Sequence, residues 1–226
     1  SAELAKYAAN GFLAVKLSYA NMVAELCEKT GASSAEVLGA MGMDNRIGAD
    51  YLSPGPGWGG SCLPKDLSAL IHLAKKTTTE HSLLQGAVDV NSRQPARVVD
   101  FVKHALDKKL HGRKVGLLGI AFKSGTNDTR KSAALAVSGL LEKEGAHVVG
   151  YDPNIGAGAD IDRFITIVGS PYEVAASAEA LIIITEWPEL SDLSWIRIAE
   201  NMNGRAIIDT RNVLDPHAIA AENLDY

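Results

Sequence analysis

The chain has 226 residues, 46% hydrophobic and 22% charged, with a formal net charge of −5. That length admits one large domain or two modest ones, and the composition is that of a folded globular protein. The mild negative charge, without a basic stripe, argues against nucleic-acid binding, and the strongest apolar run, Ala180–Ile184, is too short to span a bilayer. There is no signal-peptide pattern, and Cys27 and Cys62 alone make no disulfide framework. A reducing, cytoplasmic setting without membrane association is the expectation.

Ser1–Tyr7 already reads as the inside of a helix, so the chain is expected to be a fragment lacking an N-terminal part. From Glu3 to about Leu110 the sequence is helical almost throughout. Leu4, Ala8, Phe12, Val15, Tyr19, Val23 and Leu26 recur at intervals of three and four, the spacing of one apolar helix face. Gly31 suits a stop, and Ser33 with Glu36 makes a capping box for a short second helix. A loop rich in glycine and proline runs from Met43 to Leu63. Pro64 then suits the first turn of a helix reaching about Lys76. A long helix follows the Thr77–Thr79 break, and Pro95 within it predicts a kink or a boundary.

From Lys114 the pattern changes. Val115–Ile120, His147–Tyr151, Ile165–Val168, Ala180–Thr185 and Arg205–Ile208 read as buried strands, with a helix from Ser132 to Glu144. Short apolar strands separated by helices imply a parallel sheet with crossover connections. The fold class expected is α/β, a helical domain (residues 1–111) followed by a Rossmann-like domain (residues 112–226).

Cys62 is the first candidate for chemistry. It follows glycines 55, 57, 59 and 60, which allow backbone amides to approach a ligand closely. It also precedes a helix start with Lys65 beside it, and both features favour an anionic sulfur. Asp66, one turn on, is placed to position or deprotonate a water. Cys27, beside Val23 and Leu26, reads as core. Lys6, Asn10 and Asn21 fall within about 60° on a helical wheel, a polar stripe that would ordinarily face solvent. The six histidines show no metal-ligand spacing, while the spacing of Cys62 and His72 leaves a hydrolase dyad open.

Gly57-Trp58-Gly59-Gly60-Ser61-Cys62-Leu63-Pro64-Lys65-Asp66 resembles the signature of the UDP-glucose/GDP-mannose dehydrogenase family. The resemblance extends from Glu3 to about Pro216. It implies oxidation of the C6 alcohol of a nucleotide sugar to a carboxylate, in two hydride transfers to NAD. Cys62 would attack the aldehyde to give a thiohemiacetal, and the thioester formed from it would be hydrolysed. By the same resemblance Lys6 and Asn10 hold the oxyanion and Arg46 reaches the substrate site of a neighbouring subunit in a homodimer. Tyr51 and Leu52, with Gly59, lie along the nucleotide sugar. Lys123 and Arg211 contact it from the C-terminal domain, Arg211 at the diphosphate. Lys65 is placed on the cofactor side, and most of the NAD site is assigned to the missing N-terminal domain, so the isolated chain is expected to turn over little. Met22, Asn127 and Ala133 depart from residues common in the family. UDP-glucose is the favoured substrate; GDP-mannose, UDP-N-acetylmannosamine and a non-catalytic nucleotide-sugar-binding module are the alternatives.

Overall fold

The computed structural model describes residues 1–226, which form two compact units, Ser1–Gln94 and Pro95–Tyr226. The first unit holds α1 (Ala2–Thr30), α2 (Ser34–Gly42), α3 (Leu63–Lys76) and the first part of α4 (Ser82–Ala105). The division falls at Pro95, inside α4, rather than near His111 where the change of pattern suggested it. The reason is packing: Val98, Val99 and Val102, on the last turns of α4, are buried in one core with Val115, Leu117 and Val148 of the sheet.

Local chemistry explains the limits of the helices. Gly31 closes α1 in the left-handed conformation at φ 75°, and the Ala32 amide donates to the Cys27 carbonyl at 3.0 Å. The Ser33 hydroxyl accepts from the Glu36 amide at 3.3 Å and starts α2. Pro64 lies in the first turn of α3, where its missing N–H costs nothing.

The long apolar stripe of α1 does not face the core of its unit. Leu4, Phe12, Tyr19 and Leu26 are exposed, Phe12 by 64%. The buried positions are Val23 of that stripe and, off it, Gly11, Ala14, Ser18, Ala20, Asn21, Ala24 and Cys27. Small side chains let α3 come close, and Ala14 packs with Leu67 and Ile71. A Cβ built on Gly11 would stand 2.9 Å from Leu70 Cδ2. The uncovered stripe borders an open apolar groove lined by Val15, Tyr19 and Met22 of α1 with Leu83, Gly86 and Val90 of α4.

The second unit is built on β1 (Lys114–Leu118), β2 (His147–Tyr151), β3 (Thr166–Ile167), β4 (Ala180–Ile183) and β5 (Ala206–Asp209), with α5 (Ala133–Lys143), α6 (Pro171–Ala175), α7 (Trp195–Asn201) and α8 (Pro216–Ala221). All strand pairs are parallel, in the order β3-β2-β1-β4-β5. Both faces are covered. Leu117, Ile182 and Val137 lie in one core, while Leu118, Leu181 and Ile198 lie in the other. That is why β4 is buried at every residue and reads as a continuous apolar run rather than an alternating one. The chain leaves β1 for β2 on one side, and β4 lies on the other, so the topological switch point is between β1 and β4.

Candidate active site

In the first unit the glycine-rich loop has no regular structure of its own and is held by polar side chains from α1 and α4. Asn21 Oδ1 accepts from the Gly55 amide at 2.7 Å. The Ser18 hydroxyl accepts from the Trp58 indole at 3.0 Å and donates to the Ala87 carbonyl at 2.8 Å. Asn91 grips Trp58 twice, accepting from its amide at 2.7 Å and donating to its carbonyl at 3.0 Å. Gly57, at φ 111°, has the Asn91 side-chain oxygen 3.1 Å from where a Cβ would sit, so both backbone conformation and space call for glycine. Asn21, read as part of a solvated stripe, is thus buried structure, and Asn91 and Ser18 carried no sequence signal that singled them out.

The loop delivers Cys62 to the start of α3, where it is exposed. Its Sγ lies 3.8 Å from the Ser61 hydroxyl oxygen. Its carbonyl accepts from the Asp66 amide at 2.9 Å, the first helical bond. Asp66 is fully enclosed. Its Oδ2 accepts from Asn10 Nδ2 at 2.7 Å, and its Oδ1 lies 2.9 Å from Lys65 Nζ. The bond to Lys65 holds the carboxyl below its usual range, against burial, helped by Asn10 and by the charges of Lys65 and Lys6. The side chains of Lys65, Asp66 and Asn10 are therefore one linked group, one helical turn from Cys62, and Lys6, on α1 one turn before Asn10, adds positive charge to it. His72 lies ten residues along the same α-helix, about 15 Å of rise from Cys62, which rules out the Cys62–His72 dyad.

The other first-unit candidates lie elsewhere on the loop. The Arg46 side chain is 88% exposed and bonded to Asp44, through Nε at 3.0 Å and Nη2 at 2.6 Å. Tyr51 is exposed with φ 61°, Leu52 is buried, and Gly59 is half-buried.

In the second unit the segment after β1 is clamped at the switch point. The buried Asp152 carboxylate accepts from the amides of Ile120 (2.8 Å) and Ala121 (2.9 Å) and from the Trp187 indole (3.1 Å). The Thr185 hydroxyl donates to the Ala121 carbonyl and the Ser132 hydroxyl to the Ile120 carbonyl, both at 2.6 Å. Further along, Asp128 accepts from the Arg130 amide and from its Nε, both at 2.9 Å, and from Nη2 at 2.7 Å. The Arg130 bonds hold the Asp128 carboxyl down at about 2. Lys123 projects from this braced segment, exposed, with its ammonium 5.7 Å from the Phe122 ring centroid. Arg211 follows β5. Its Nε donates to the Ile184 carbonyl at 2.6 Å and lies 3.0 Å from Glu186 Oε2. Burial pushes its guanidinium pKa down, and the charges of Glu186 and Asp209 oppose that. Lys123 and Arg211 thus stand beyond the carboxyl ends of β1 and β5, flanking β4, where open α/β sheets bind ligands.

The model of the UDP-glucose/GDP-mannose dehydrogenase central domain matches residues 1–93, and that of the same family's UDP-binding domain matches residues 116–216. The chain belongs to the UDP-glucose/GDP-mannose dehydrogenase family. The two matches fall one on each compact unit. Among curated relatives, the UDP-glucose 6-dehydrogenase AglM of Haloferax volcanii is 43% identical over all of this chain and 51% of its own length. The UDP-glucose 6-dehydrogenase of Rhizobium meliloti is 39% identical over all of this chain and 52% of its own length. A UDP-glucose dehydrogenase from Pyrobaculum islandicum superposes with a TM-score of 0.84 at 37% identity, over 93% of this chain and 47% of that one. An NDP-N-acetyl-D-galactosaminuronic acid dehydrogenase from Methanosarcina mazei superposes at 0.89 and 28% identity, over 99% and 49%. The chain spans about half the length of the curated relatives it matches.

Proposed function

We propose that this chain is the catalytic-cysteine and nucleotide-sugar-binding part of an NAD-dependent UDP-glucose 6-dehydrogenase that converts UDP-glucose to UDP-glucuronate. The observation that carries the reading is the exposed Cys62 at the start of α3, tied through its own carbonyl to an enclosed, ionised Asp66 that Asn10 and Lys65 hold. UDP-glucose is favoured as substrate because the curated relatives carry that name.

NAD, when bound, accepts the hydrides removed from the C6 carbon. Within this chain Lys65 fits the cofactor side: one edge of its ammonium meets Asp66, while 62% of the side chain remains accessible for an anionic group. The segment after β1 has a single glycine before Lys123 and is not a dinucleotide loop, so the rest of the NAD site is assigned to the full-length enzyme beyond this chain.

Each residue has a separable task. The Cys62 sulfur adds to the aldehyde carbon, and the carbonyl oxygen becomes an alkoxide. An amide NH2 has two N–H donors. Asn10 uses one on Asp66, which fixes its orientation, and offers the other with the Lys6 ammonium to the alkoxide. After the second oxidation the sugar is a thioester on Cys62. Asp66, anionic at neutral pH, takes a proton from the attacking water and leaves carboxylate and free thiol. Arg46, Tyr51, Leu52 and Gly59 are assigned to the sugar nucleotide, as are Lys123 and Arg211 beyond the carboxyl ends of β1 and β5. The uncovered apolar stripe of α1 and its groove fit a second copy of the chain, a homodimer in which Arg46 serves the neighbour's site.

Alkylation tests the reading. At pH 7 iodoacetamide is expected to modify Cys62 at least about tenfold faster than the buried Cys27, with UDP-glucose, but not GDP-mannose, protecting it. Equal slow labelling of the two thiols would sink the catalytic assignment. Protection by GDP-mannose alone would overturn the substrate.

A further inference from the structure

Lys16 lies half-buried on α1, and its ammonium meets three main-chain carbonyls of one short segment: Ile47 at 2.9 Å, Gly48 at 3.3 Å and Asp50 at 2.6 Å. An ammonium has three N–H donors, so this set uses all of them. The segment has little else to fix it. The amides of Ile47 and Gly48 both turn back on the Asp44 carbonyl at 2.8 Å, and the Leu52 amide reaches the Ala49 carbonyl at 3.2 Å. Gly48 and Tyr51 are both left-handed, at φ 70° and 61°. For tyrosine that conformation is unfavourable and persists only where the surroundings impose it. Three carbonyls aimed at one point repel one another unless a cation sits at the focus. The segment so pinned begins immediately after Arg46 and ends immediately before Tyr51.

We propose that Lys16 is a positioning residue for substrate binding: its ammonium substitutes for a bound cation at the centre of the 47–50 turn and thereby sets where Arg46 and Tyr51 point. The proposal rests on the assignment of those two residues to the sugar nucleotide. It puts both halves of the task on one helix. Lys6 and Asn10, near the start of α1, address the reacting oxygen, while Lys16, two to three turns on, shapes the segment that holds the substrate. The Lys16 ammonium spends its donors on the 47–50 carbonyls and none on the Cys62 group, so its loss should weaken binding and spare the chemical step.

The test uses the full-length enzyme containing this chain, with saturating NAD, and compares Lys16→Met and Lys16→Arg with Arg46→Ala and Tyr51→Ala. Lys16→Met is expected to raise KM for UDP-glucose roughly tenfold or more while kcat stays within about threefold, the pattern of lost ground-state binding. Lys16→Arg, which keeps the charge and the donors, should recover most of the loss. Limited trypsinolysis gives a second readout: cleavage after Arg46 should be several times faster in Lys16→Met than in the parent. An unchanged KM and unchanged cleavage in Lys16→Met would overturn the proposal. So would a parallel loss of kcat with reduced helical circular dichroism, the mark of general damage. If Arg46→Ala and Tyr51→Ala raise KM and Lys16→Met does not, the positioning role alone fails. If neither of them raises KM, the substrate assignment of that segment fails, and the cleavage rate still decides whether Lys16 holds it.

Discussion

Asp66 and Asp128 are carboxylates of the same kind put to different ends. Asp66 is enclosed and shares its oxygens between Asn10 and Lys65, which keeps it ionised one helical turn from Cys62. Asp128 braces a loop by accepting every bond its Arg130 partner offers it. Its pKa falls from the ordinary 3.8 to about 2 on folding. A lowered pKa adds stability that is fully present above pH 3.8 and is lost as the pH drops through about 2. A carbon-detected NMR titration should therefore place the Asp128 midpoint near 2, and Arg130→Ala should return it towards 3.8. A midpoint near 3.8 in the parent chain would mean that the brace is absent in solution. None of this pairing was legible in the sequence, because Asp128 and Arg130 are two residues apart in a loop and no periodicity marks them. The position of Cys62 at a helix start after a glycine-rich loop, by contrast, was legible, since its glycines, Pro64 and Asp66 are contiguous.

Elements were readable where burial is symmetric. β4 is covered on both faces, so Ala180–Ile183 is apolar without interruption and reads as a strand. α1 was readable as a helix, but not for which side it buries. Periodicity reports that a face is apolar, not what covers it, and the buried side of α1 is instead small and polar because a loop backbone and α3 press against it. Element geometry also fixes single positions. Gly119 follows β1 directly at φ 89°, and a Cβ there would lie 2.4 Å from Thr185 Cβ and 2.7 Å from the Thr185 amide. Gly119→Ala combines left-handed strain with overpacking and is expected to cost about 2–4 kcal/mol in urea unfolding. A loss below about 1 kcal/mol would show that the β1 and β4 ends are not held as tightly as Asp152 and Thr185 indicate. If Lys123 has the role proposed for it, the same substitution should also weaken UDP-sugar binding, because it displaces the segment that carries Lys123.

At the scale of the molecule, the apolar stripe of α1 is the feature that a single chain leaves unexplained. Phe12, Tyr19, Met22 and Leu26 on α1 and Leu83 on α4 are all exposed, the last by 71%. A homodimer that buries this surface should sediment as one species of twice the chain mass at micromolar concentration. Met22→Lys, in the groove, is expected to shift it to monomer without loss of helical signal, and a parent chain that sediments as a monomer would remove the basis for a shared site. At this scale the sequence pattern and the packing mark different points: the switch from helical to strand patterning at Lys114 marks the start of the sheet, while the second compact unit begins at Pro95, where α4 turns its valines to that core. Trp58 has a practical use that follows from its grip. It is the sole tryptophan of Ser1–Gln94, four residues before Cys62, with its indole on Ser18 and its backbone on Asn91. With Trp187 and Trp195 replaced by phenylalanine, its emission becomes an optical gauge of the cysteine loop alone, readable during binding without any label.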